Sequence, residues 1–445
     1  MPVLPESVSY AVVGAGVHGL STAWHLAMEL EARGGSGEDI VLLDKSAPGH
    51  GATGIACGCV RNFYMTEPLH AILKHSVDVW MHDPINFGFQ QVGYISCGED
   101  NQLADYERVH KSQNAVGYHS DVYIGKDAHK FLKSVWPDFK TEPVGVVIHE
   151  KISGYAGTLQ MVEGFTRKCV NHGVQVLSGV EVTGYDVTNG QVSKVRTDRG
   201  DIACDAVVLG LGAWTPKHWE MLGKPMKIDV RYPDGEVLKD QDMWTFWRLL
   251  EGDVYMDTYY RDARGLDPPV LHVELMNTPV IDQNTGKELD DHLYVYWKNG
   301  AERLRDRQGV QGGTIPIKIG PRATVDPYGH ANREYWAEPE FADYFTSALA
   351  QLMGRFEGCR DRFSKRPNGG IGAFTPDNVP IFDWILPNVY MIADSNHGFK
   401  MTGVGKLVAK LLAGGDRVAE LEPFALSRFA EGRAFGSSNS NCPWV

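Results

Sequence analysis

Three glycines near the start of the chain, Gly14, Gly16 and Gly19, have the type and spacing that bind a dinucleotide. The first glycine permits a tight turn, the second lets the backbone approach a pyrophosphate, and the third lets a helix pack closely on a strand. The phosphates then lie at a helix N-terminus, where free N–H groups and the helix dipole favour negative charge. A carboxylate at Asp44 would accept hydrogen bonds from ribose hydroxyls. This pattern predicts a dinucleotide site, and a glycine-rich turn without a ligand is the alternative.

These residues need a strand, a turn and a helix in that order, and the flanking sequence predicts all three. Segment 7–13 is an apolar run typical of a strand, and an amphipathic helix follows over 20–32. A second apolar run over 40–44 predicts the strand that ends in the carboxylate. A further glycine match over 49–54 has no apolar strand in front of it, so we favour the first match.

The composition and charge are those of a soluble globular enzyme. The 445 residues are 43% hydrophobic and 22% charged, which suits two interleaved or serial domains. The formal charge of −13 argues against nucleic acid or an anionic membrane surface as partners. No apolar run approaches the ~20 residues of a membrane span, and no signal peptide is expected. We therefore expect a cytoplasmic protein.

Seven cysteines, an odd number scattered along the chain, fit a reducing compartment better than a disulfide framework. Cys57 and Cys59 are spaced like a redox pair or half of a metal site. Because no second Cys/His pair at zinc spacing accompanies them, we favour small buried thiols and expect no metal.

After Asp44 the alternation of strands and helices that a nicotinamide-binding domain would continue is interrupted. A glycine- and alanine-rich loop over 46–60 leads to a helix that begins near Thr66. The stretch 91–132 is polar and irregular, so an insertion over about 80–143 splits the nucleotide fold. Beyond it we predict strands over 144–148, 174–177, 180–185, 191–196 and 205–214, and a helix over 158–171.

The C-terminal region predicts a strand over 389–393, a turn over 394–399 and a helix over 403–412. The N-terminus of that helix could direct N–H groups at the pyrimidine carbonyls of a flavin, which gain negative charge on reduction. The alternative is a β-turn-α unit without a ligand.

Four segments together resemble a known family: the glycine motif over 14–19, Asp205–Trp214, Thr375–Ile381 and Asn396–Lys406. In this order they are similar to the sarcosine oxidase and D-amino-acid oxidase superfamily of FAD enzymes, closest in pattern to monomeric sarcosine oxidase-like amine oxidases. The resemblance implies an α/β fold, in which a glutathione-reductase-like FAD-binding Rossmann domain is interleaved with a substrate domain on a large mixed β-sheet. The expected ranges are 1–84, 145–221 and 362–425 for FAD, 85–144 and 222–361 for substrate, and 426–445 for a C-terminal tail.

The glycine motif and the resemblance together assign the expected FAD-binding residues. They are Gly14, Gly16, Val17, His18, Asp44, Lys45, Gly51, Ala52, Thr53, Cys57, Gly58, Val180, Gly212, Trp214, Gly370, Gly372, Gly398, Phe399 and Lys400.

Covalent members of the family attach FAD through a cysteine before the Thr-Pro-Asp segment or through a histidine in the glycine-rich loop. Here segment 368–374 has no cysteine, and Ile55 stands roughly where that histidine would fall. We therefore expect noncovalent FAD, with Cys57, Cys59 and His50 as the remaining candidates for attachment.

Two basic residues are expected to hold a substrate carboxylate. Similar enzymes place an arginine at the position of Arg61, with a tyrosine three residues later, and a guanidinium fork suits a carboxylate. Lys400 occupies the lysine of the His-Gly-Phe-Lys pattern, which family members use as the second half of the clamp. The alternative is that both residues are surface ion-pair partners. His397 could serve as a base, although we favour a structural role for it in the turn.

Lys318 lies in an apolar segment, Gly312–Gly320, where a charge is unfavourable unless it is functional or paired. Members of the family that react with oxygen carry a lysine in a similar Leu-Lys-Leu-Gly strand. The resemblance therefore favours a role in oxygen chemistry, and an exposed edge-strand lysine that prevents aggregation is the alternative.

The expected substrate domain is rich in aromatic residues and leaves the identity of the substrate open. Such residues are more often the core of a sheet than a binding cage, but any that line the pocket would favour a bulky or cationic amine. Segment 261–288, rich in Asp, Pro and Asn, predicts a long loop that is either a lid or a partner surface. The aromatic residues are Trp244, Phe246, Trp247, Tyr255, Tyr259, Tyr260, Tyr294, Tyr296 and Trp297.

These observations predict FAD-dependent oxidation of a secondary or N-methylated amino acid. A hydride equivalent would pass to the flavin, water would hydrolyse the imine, and oxygen would be reduced to hydrogen peroxide. The alternatives are a dehydrogenase with a protein or quinone acceptor, a flavoprotein subunit that needs a partner, and, least favoured, an NAD-linked dehydrogenase. The oligomeric state stays open, and a homo-oligomer is compatible with the sequence.

Overall fold

Two large β-sheets form the framework of the chain. The computed structural model describes residues 3–256, 261–300, 308–322, 324–329, 331–364, 369–414, 417–438, 440 and 442. Within these ranges one sheet has eight strands and the other has nine. Tyr259 and Tyr260, counted above among the aromatic residues, lie outside the described ranges.

The described ranges contain α-helices of one to four turns. They are α1 (Val17–Ala32), α2 (Leu69–His82), α3 (Leu103–Ala115), α4 (Lys126–Val135), α5 (Thr158–Asn171), α6 (Thr215–Met221), α7 (Pro339–Leu352) and α8 (Thr402–Leu412). In this part of the chain, no helix combines the length and the apolar character that a membrane crossing requires.

The strands of the same ranges follow one another in chain order. They are β1 (Ser7–Val13), β2 (Ile40–Asp44), β3 (Cys59–Val60), β4 (Phe89–Gln90), β5 (Tyr94–Gly98), β6 (Ser120–Ile124), β7 (Val146–Glu150), β8 (Gly154–Ala156), β9 (Gln175–Ser178), β10 (Val182–Thr188), β11 (Gln191–Thr197), β12 (Gly200–Leu209), β13 (Lys227–Arg231), β14 (Val237–Asp242), β15 (Thr245–Met256), β16 (Val270–Leu275), β17 (Val280–Ile281), β18 (Glu288–Asp290), β19 (Leu293–Asn299), β20 (Gln308–Gly313), β21 (Ile317–Gly320), β22 (Gly369–Phe374), β23 (Ile381–Leu386) and β24 (Val389–Ala393).

The eight-stranded sheet is built around the strands that the glycine motif predicts. β1 pairs in parallel with β2 on one side and with β12 on the other, and β24 continues in parallel beside β12. These strands are continuous apolar runs because packing covers both faces of the sheet. The β1-α1-β2 unit confirms the predicted α/β fold.

The nine-stranded sheet is mixed. Its long strand β15 pairs antiparallel with β20, β21 and β22, while β16 pairs in parallel with β5 and antiparallel with β19. Strands β7 and β22 also belong to this sheet, although the expected division assigns 145–221 and 362–425 to the FAD-binding domain. The domain boundaries therefore stay a prediction, with these two strands as the points of difference.

Two stretches predicted to be irregular contain regular structure. Residues 91–132 include β5, α3, β6 and most of α4, and residues 261–288 include the fully buried strand β16. The predictions of an irregular stretch and of one long loop are wrong because β5 and β16 pair with each other, and that nonlocal contact leaves no local signal. The strand predicted over 312–320 is interrupted, because β20 ends at Gly313 and β21 begins at Ile317. The other predicted elements are confirmed with ends shifted by up to five residues, as β12 shows, and α5 has the predicted bounds.

Candidate active site

A cavity of about 330 Å³ lies between the two sheets. Val13, Asp44 and Gly210 line it from the first sheet, so it opens at the carboxyl ends of β1, β2 and β12. Strands β15, β19 and β22 contribute the opposite wall. Ligands of open α/β sheets bind outside the carboxyl ends of the strands, so this is the expected position for a cofactor.

The turn between β1 and α1 has the backbone geometry of a phosphate-binding turn. Gly14 has φ +97°, and a Cβ there would lie 2.4 Å from the carbonyl oxygen of Gly210, so a side chain does not fit. Gly16 is the N-cap of α1 and provides no side-chain cap. The next amide, that of Val17, donates to Thr53 Oγ1 at 3.1 Å and thereby ties the loop over 46–60 to the helix. The start of α1 therefore borders the cavity and suits a pyrophosphate.

Asp44 is held in a fixed orientation at the end of β2. Its Oδ2 accepts a hydrogen bond from the Ala15 amide at 2.9 Å, and its Oδ1 accepts one from the Ser46 amide at 2.8 Å. Burial raises the pKa of Asp44, and these two donors oppose the rise. A carboxylate has about four lone-pair sites, so acceptor positions remain for the hydroxyl groups of a ligand.

Lys45 and Trp214 form the part of the cavity wall next to Asp44, and both contact the carboxylate of Asp326. Lys45 Nζ lies 2.8 Å from Asp326 Oδ1 and 4.2 Å from the centroid of the Trp214 ring. The Trp214 indole donates to the same carboxylate oxygen at 3.1 Å. Both predicted residues line the cavity, and the lysine charge there is already paired.

A buried cluster of His18, Asp394 and His397 connects α1 to the turn before α8. Asp394 Oδ2 lies 2.9 Å from His18 Nε2, and Asp394 Oδ1 lies 2.9 Å from His397 Nδ1. Burial opposes ionisation of Asp394, but the two histidines outweigh it and hold its pKa well below the usual range. His397 is only 1% exposed and does not line the cavity, which favours the structural role over that of a base, and the role as a base stays a prediction.

Arg61 and Lys400 bring two positive charges to the cavity. Arg61 Nη1 donates to the Phe63 carbonyl at 2.5 Å, and its guanidinium carbon lies 4.3 Å from the centroid of the Tyr64 ring. Lys400 Nζ lies 3.5 Å from the Asn396 carbonyl, and burial followed by the nearby Arg61 charge lowers the pKa of Lys400.

Within the described residues, neither cation has a carboxylate within 4.0 Å. The alternative of two surface ion pairs is therefore wrong for Arg61 and Lys400, which both line the cavity. Buried charges are normally paired, because the loss of hydration is unfavourable without a partner. The unpaired cations mark a position for an anionic ligand.

Two of the residues near these cations, Tyr94 and His272, were not predicted from the sequence. The Tyr94 hydroxyl lies 2.8 Å from His272 Nδ1, and the Tyr294 ring packs edge-on against His272 with centroids 4.8 Å apart. Burial, followed by the charges of Arg61 and Lys400, lowers the pKa of His272 well below its usual value, so the imidazole is neutral.

Tyr294 and Tyr296 line the cavity, whereas Trp297 packs in the core on the other side of β19. Tyr294 and Tyr296 are two positions apart and therefore lie on the same face of the strand, whereas Trp297 lies on the opposite face. This spacing is the signal in the sequence that could have distinguished the cavity-lining aromatic residues from those in the core. Tyr94 had no comparable signal, because its strand β5 was not predicted.

Glu251 on β15 fastens the glycine-rich loop to the second sheet. Its Oε1 accepts from the Cys57 amide at 2.9 Å and from the Tyr296 hydroxyl at 3.2 Å, and its Oε2 accepts from Gln311 Nε2 at 3.0 Å. These contacts place Cys57 and Gly58 in the cavity wall, where sequence analysis expects them.

The structure brings most of the expected site residues to this one cavity. Three of them do not line it: Gly372, His397 and Lys318. A Cβ on Gly372 would lie 2.7 Å from Phe374 Cε2 and 2.8 Å from Ser395 Cβ, so this glycine serves close packing of β22. The residues that do line it are Gly14, Gly16, Val17, His18, Asp44, Lys45, Gly51, Ala52, Thr53, Cys57, Gly58, Arg61, Val180, Gly212, Trp214, Gly370, Gly398, Phe399 and Lys400.

Lys318 lies on β21, the edge strand of the nine-stranded sheet, and its side chain is exposed. The expected unfavourable charge inside an apolar strand is therefore absent. Lys318 pairs with Trp247 on β15, and Trp247 packs against the hydrophobic cluster that includes Cys57, Cys59 and Tyr294 of the cavity wall. The lysine thus lies on the cavity side of the sheet but outside the lining, and its role in oxygen chemistry stays a prediction.

The donor set of the cavity fits FAD. A helix N-terminus without a side-chain cap suits a pyrophosphate, and Asp44 offers acceptors for ribose hydroxyls. The turn before α8 borders the same cavity through Gly398 and Phe399, at the end where the flavin would lie. A noncovalent or a covalent bond is compatible with this set, since Cys57 and His50 also line it.

Comparison with known proteins gives one family and several relatives. The family model described as DAO, FAD dependent oxidoreductase, matches residues 9–411. Sarcosine oxidase subunit beta of Arthrobacter sp is 26% identical over 447 residues, with 97% of this chain and 93% of that protein covered. Sarcosine oxidase subunit beta of Rhizobium meliloti (strain 1021) is 25% identical over 223 residues, with 49% of this chain and 52% of that protein covered. In that match the chain spans about half the length of the relative.

Solved structures share the fold over nearly the whole chain. L-proline dehydrogenase from P. horikoshii superposes with a TM-score of 0.73 at 20% identity, covering 96% of this chain and 99% of that chain. Glycine oxidase from Geobacillus kaustophilus superposes with a TM-score of 0.66 at 16% identity, covering 95% and 99%. At these identities the likeness shows the fold, and the predicted two-sheet architecture is confirmed.

Proposed function

Because the chain belongs to the DAO family of FAD-dependent oxidoreductases, we propose that it oxidises a C–N bond in an amine that carries a carboxylate. The substrate class is a secondary or N-methylated amino acid. The observation that carries this proposal is the pair of cations in the cavity wall, the buried Arg61 and the half-buried Lys400, which lack a carboxylate partner among the described residues. The relatives named sarcosine oxidase subunit beta and 4-methylaminobutanoate oxidase (formaldehyde-forming) support the same class.

The residues that would hold FAD are those at the ends of the first sheet. Gly16 and Val17 would hold the pyrophosphate, and Asp44 would hold a ribose. When bound, FAD would supply the acceptor for a hydride equivalent from the carbon next to nitrogen.

The remaining steps depend on side chains of this chain. Arg61 and Lys400 orient the substrate through its carboxylate. The same two charges disfavour a protonated amine, so they lower its pKa and favour the neutral form that can be oxidised. His272, which is neutral, adds no charge to this end of the cavity. Water then hydrolyses the imine product, and no side-chain base is required.

Oxygen is the proposed electron acceptor, with hydrogen peroxide as its product. Lys318 on the cavity side of the second sheet supports it, as a cation that stabilises the superoxide anion formed by the first electron transfer. A peroxide assay of the purified protein over a series of N-methyl amino acids tests this part directly. Turnover with an artificial acceptor but no peroxide in air would indicate a dehydrogenase instead.

A second candidate function is that of a flavoprotein subunit in a hetero-oligomeric oxidase. The full-length match to a protein named as a subunit favours it. Activity of the purified single chain separates the two. Turnover by the chain alone would exclude dependence on a partner, whereas activity only after a partner protein is added would establish it.

FAD is expected to copurify and to be bound noncovalently. No cysteine lies in β22, and Ile55 rather than a histidine lies in the loop position used by covalent relatives. Acid precipitation of the yellow protein should leave the chromophore in the supernatant. Flavin that stays in the denatured pellet would contradict this and direct attention to Cys57, Cys59 and His50.

Asp44→Ala is expected to weaken FAD binding by about 1.5–3 kcal/mol, the range of a charged hydrogen bond. The substitution removes the acceptor for the ribose and also leaves the Ala15 and Ser46 amides without their partner. Titration of apoprotein with FAD, followed by flavin fluorescence, measures the change. The control is Asp39→Ala, an exposed carboxylate just before β2. Equal affinity in wild type and Asp44→Ala would show that this carboxylate does not bind the cofactor.

A further inference from the structure

Cys57 and Cys59 lie side by side in the wall of the cavity. Their sulfur atoms are 3.6 Å apart, in van der Waals contact, and both residues line the cavity. The backbone around them is fixed, because the Ala156 amide donates to the Gly58 carbonyl at 2.8 Å and the Cys57 amide donates to Glu251. A disulfide needs a sulfur separation of about 2.05 Å, so the two sulfurs must approach each other.

We propose that Cys57 and Cys59 are a redox-active dithiol, which hydrogen peroxide converts into a Cys57–Cys59 disulfide. This goes beyond the proposed oxidation of an amine, although that reaction would release peroxide in the same cavity. The pair differs from the other cysteines of the described residues, which are buried, because its two sulfurs already touch.

The electrostatics of the pair separate an attacking sulfur from a resolving one. The hydrogen bond between the two sulfurs lowers the pKa of Cys59 against the effect of burial, and the charges of Lys400 and Lys298 lower it further. Burial, followed by the bond to Cys59, raises the pKa of Cys57 well above its usual value. Glu251 opposes ionisation at both positions; Lys400 and Lys298 each outweigh it at Cys59, whereas only the weaker effect of Lys298 acts against it at Cys57. Cys59 is therefore the more readily ionised of the two thiols, and Cys57 is the one that stays protonated.

The oxidation balances in two steps. The Cys59 thiolate attacks the O–O bond of hydrogen peroxide, forms an S–O bond and releases hydroxide, which leaves a sulfenic acid. The Cys57 sulfur then attacks Cys59, so that the S–S bond forms, the S–O bond breaks, and the oxygen leaves as water with the Cys57 proton. In total the dithiol loses two electrons and peroxide is reduced to water. A ring closed across one residue is strained, and strained disulfides are readily reduced, so the change is reversible.

The test is a thiol count on FAD-loaded protein, with peroxide added in the absence of substrate. The protein is treated with a modest excess of hydrogen peroxide and then denatured in the presence of an alkylating reagent, which labels the remaining thiols. The peptides are analysed by mass spectrometry. We expect the alkylated cysteines to fall by two from the total of seven. The peptide that contains residues 57–59 should be lighter by two hydrogen atoms, and dithiothreitol should restore both thiols. Because peroxide is supplied from outside, the result does not depend on whether the enzyme produces it.

The variants assign the two roles. In Cys57→Ser no disulfide should form, and Cys59 should advance to sulfinic acid. The matched control is Cys204→Ser on β12, outside the cavity lining, where burial raises the thiol pKa to about 11; its loss of two thiols should equal that of wild type. Three results would each overturn the proposal. The first is seven alkylated cysteines in peroxide-treated wild type, and the second is a disulfide from either sulfur to Cys442. The third is an unchanged loss of two thiols in Cys59→Ser. If the serine variants do not fold, the wild-type peptide masses decide.

Discussion

Replacing Lys400 with methionine is expected to lower kcat/KM for a carboxylate-bearing amine by roughly thirtyfold to several thousandfold. Removing one member of a buried charged contact weakens binding by about 2–5 kcal/mol, which corresponds to that range at about 1.4 kcal/mol per decade. The loss should be much smaller for an amine of the same size without a carboxylate. Steady-state kinetics over a matched pair of substrates, with and without the carboxylate, measures the difference.

Arg61→Lys tests the other half of the clamp. It keeps the charge but removes the planar fork, and it also removes the stacking of the guanidinium over Tyr64 at 4.3 Å. We expect weaker binding of carboxylate substrates in spite of the conserved charge.

The control for Lys400→Met is Lys406→Met. Lys406 is a half-buried lysine of α8 outside the cavity lining, and its replacement should leave the turnover of both substrates unaffected. If Lys400→Met reduces turnover of both substrate types equally, the lysine positions the flavin and does not bind the carboxylate.

Lys318→Met is expected to slow reoxidation of the reduced enzyme by air while leaving its anaerobic reduction by substrate nearly unchanged. A cation within about 4–6 Å of a developing superoxide anion stabilises it by roughly 3–4 kcal/mol at an effective dielectric near 20. Solvent screening of this exposed lysine reduces that value, so we expect a slowing of about tenfold to a hundredfold. Stopped-flow absorbance of each half-reaction, recorded separately, gives the two rates.

An exposed strand lysine elsewhere provides the comparison for Lys318→Met. Lys194 is exposed on β11, in the other sheet, and Lys194→Met should change neither half-reaction. Fast reoxidation together with impaired reduction in Lys318→Met would place Lys318 at the substrate site. Slow reoxidation already in wild type would exclude oxygen as the natural acceptor.

The cofactor half of the site could be predicted because its determinants are local. The turn at Gly14 and the carboxylate at Asp44 follow directly from short apolar strands, and the structure brings both to one cavity. The motif placed His397 in the turn, but the orientation of its side chain depends on the hydrogen bond with Asp394. A motif thus located the backbone correctly without determining where the imidazole points.

The substrate half could be predicted only in part because nonlocal strand pairing builds it. Tyr94 lies on β5 and His272 on β16, and the two strands join only in the folded sheet. Neither strand was predicted, so the contact between these two side chains could not be predicted from the sequence. Arg61 was found through its motif, but the lack of an acidic partner within the described ranges, which gives it a role, becomes visible only in the structure.

The most direct test of the proposed function is an anaerobic titration of the purified yellow protein with N-methyl amino acids, monitored by flavin absorbance. We expect that at least one of them bleaches the flavin band, and that the same amine without its carboxylate bleaches it far more slowly. Bleaching should also be slow in Lys400→Met and in Arg61→Lys. A flavin that stays oxidised with every N-methyl and secondary amino acid, or that is reduced equally fast by the matched amine without a carboxylate, would contradict the proposed function.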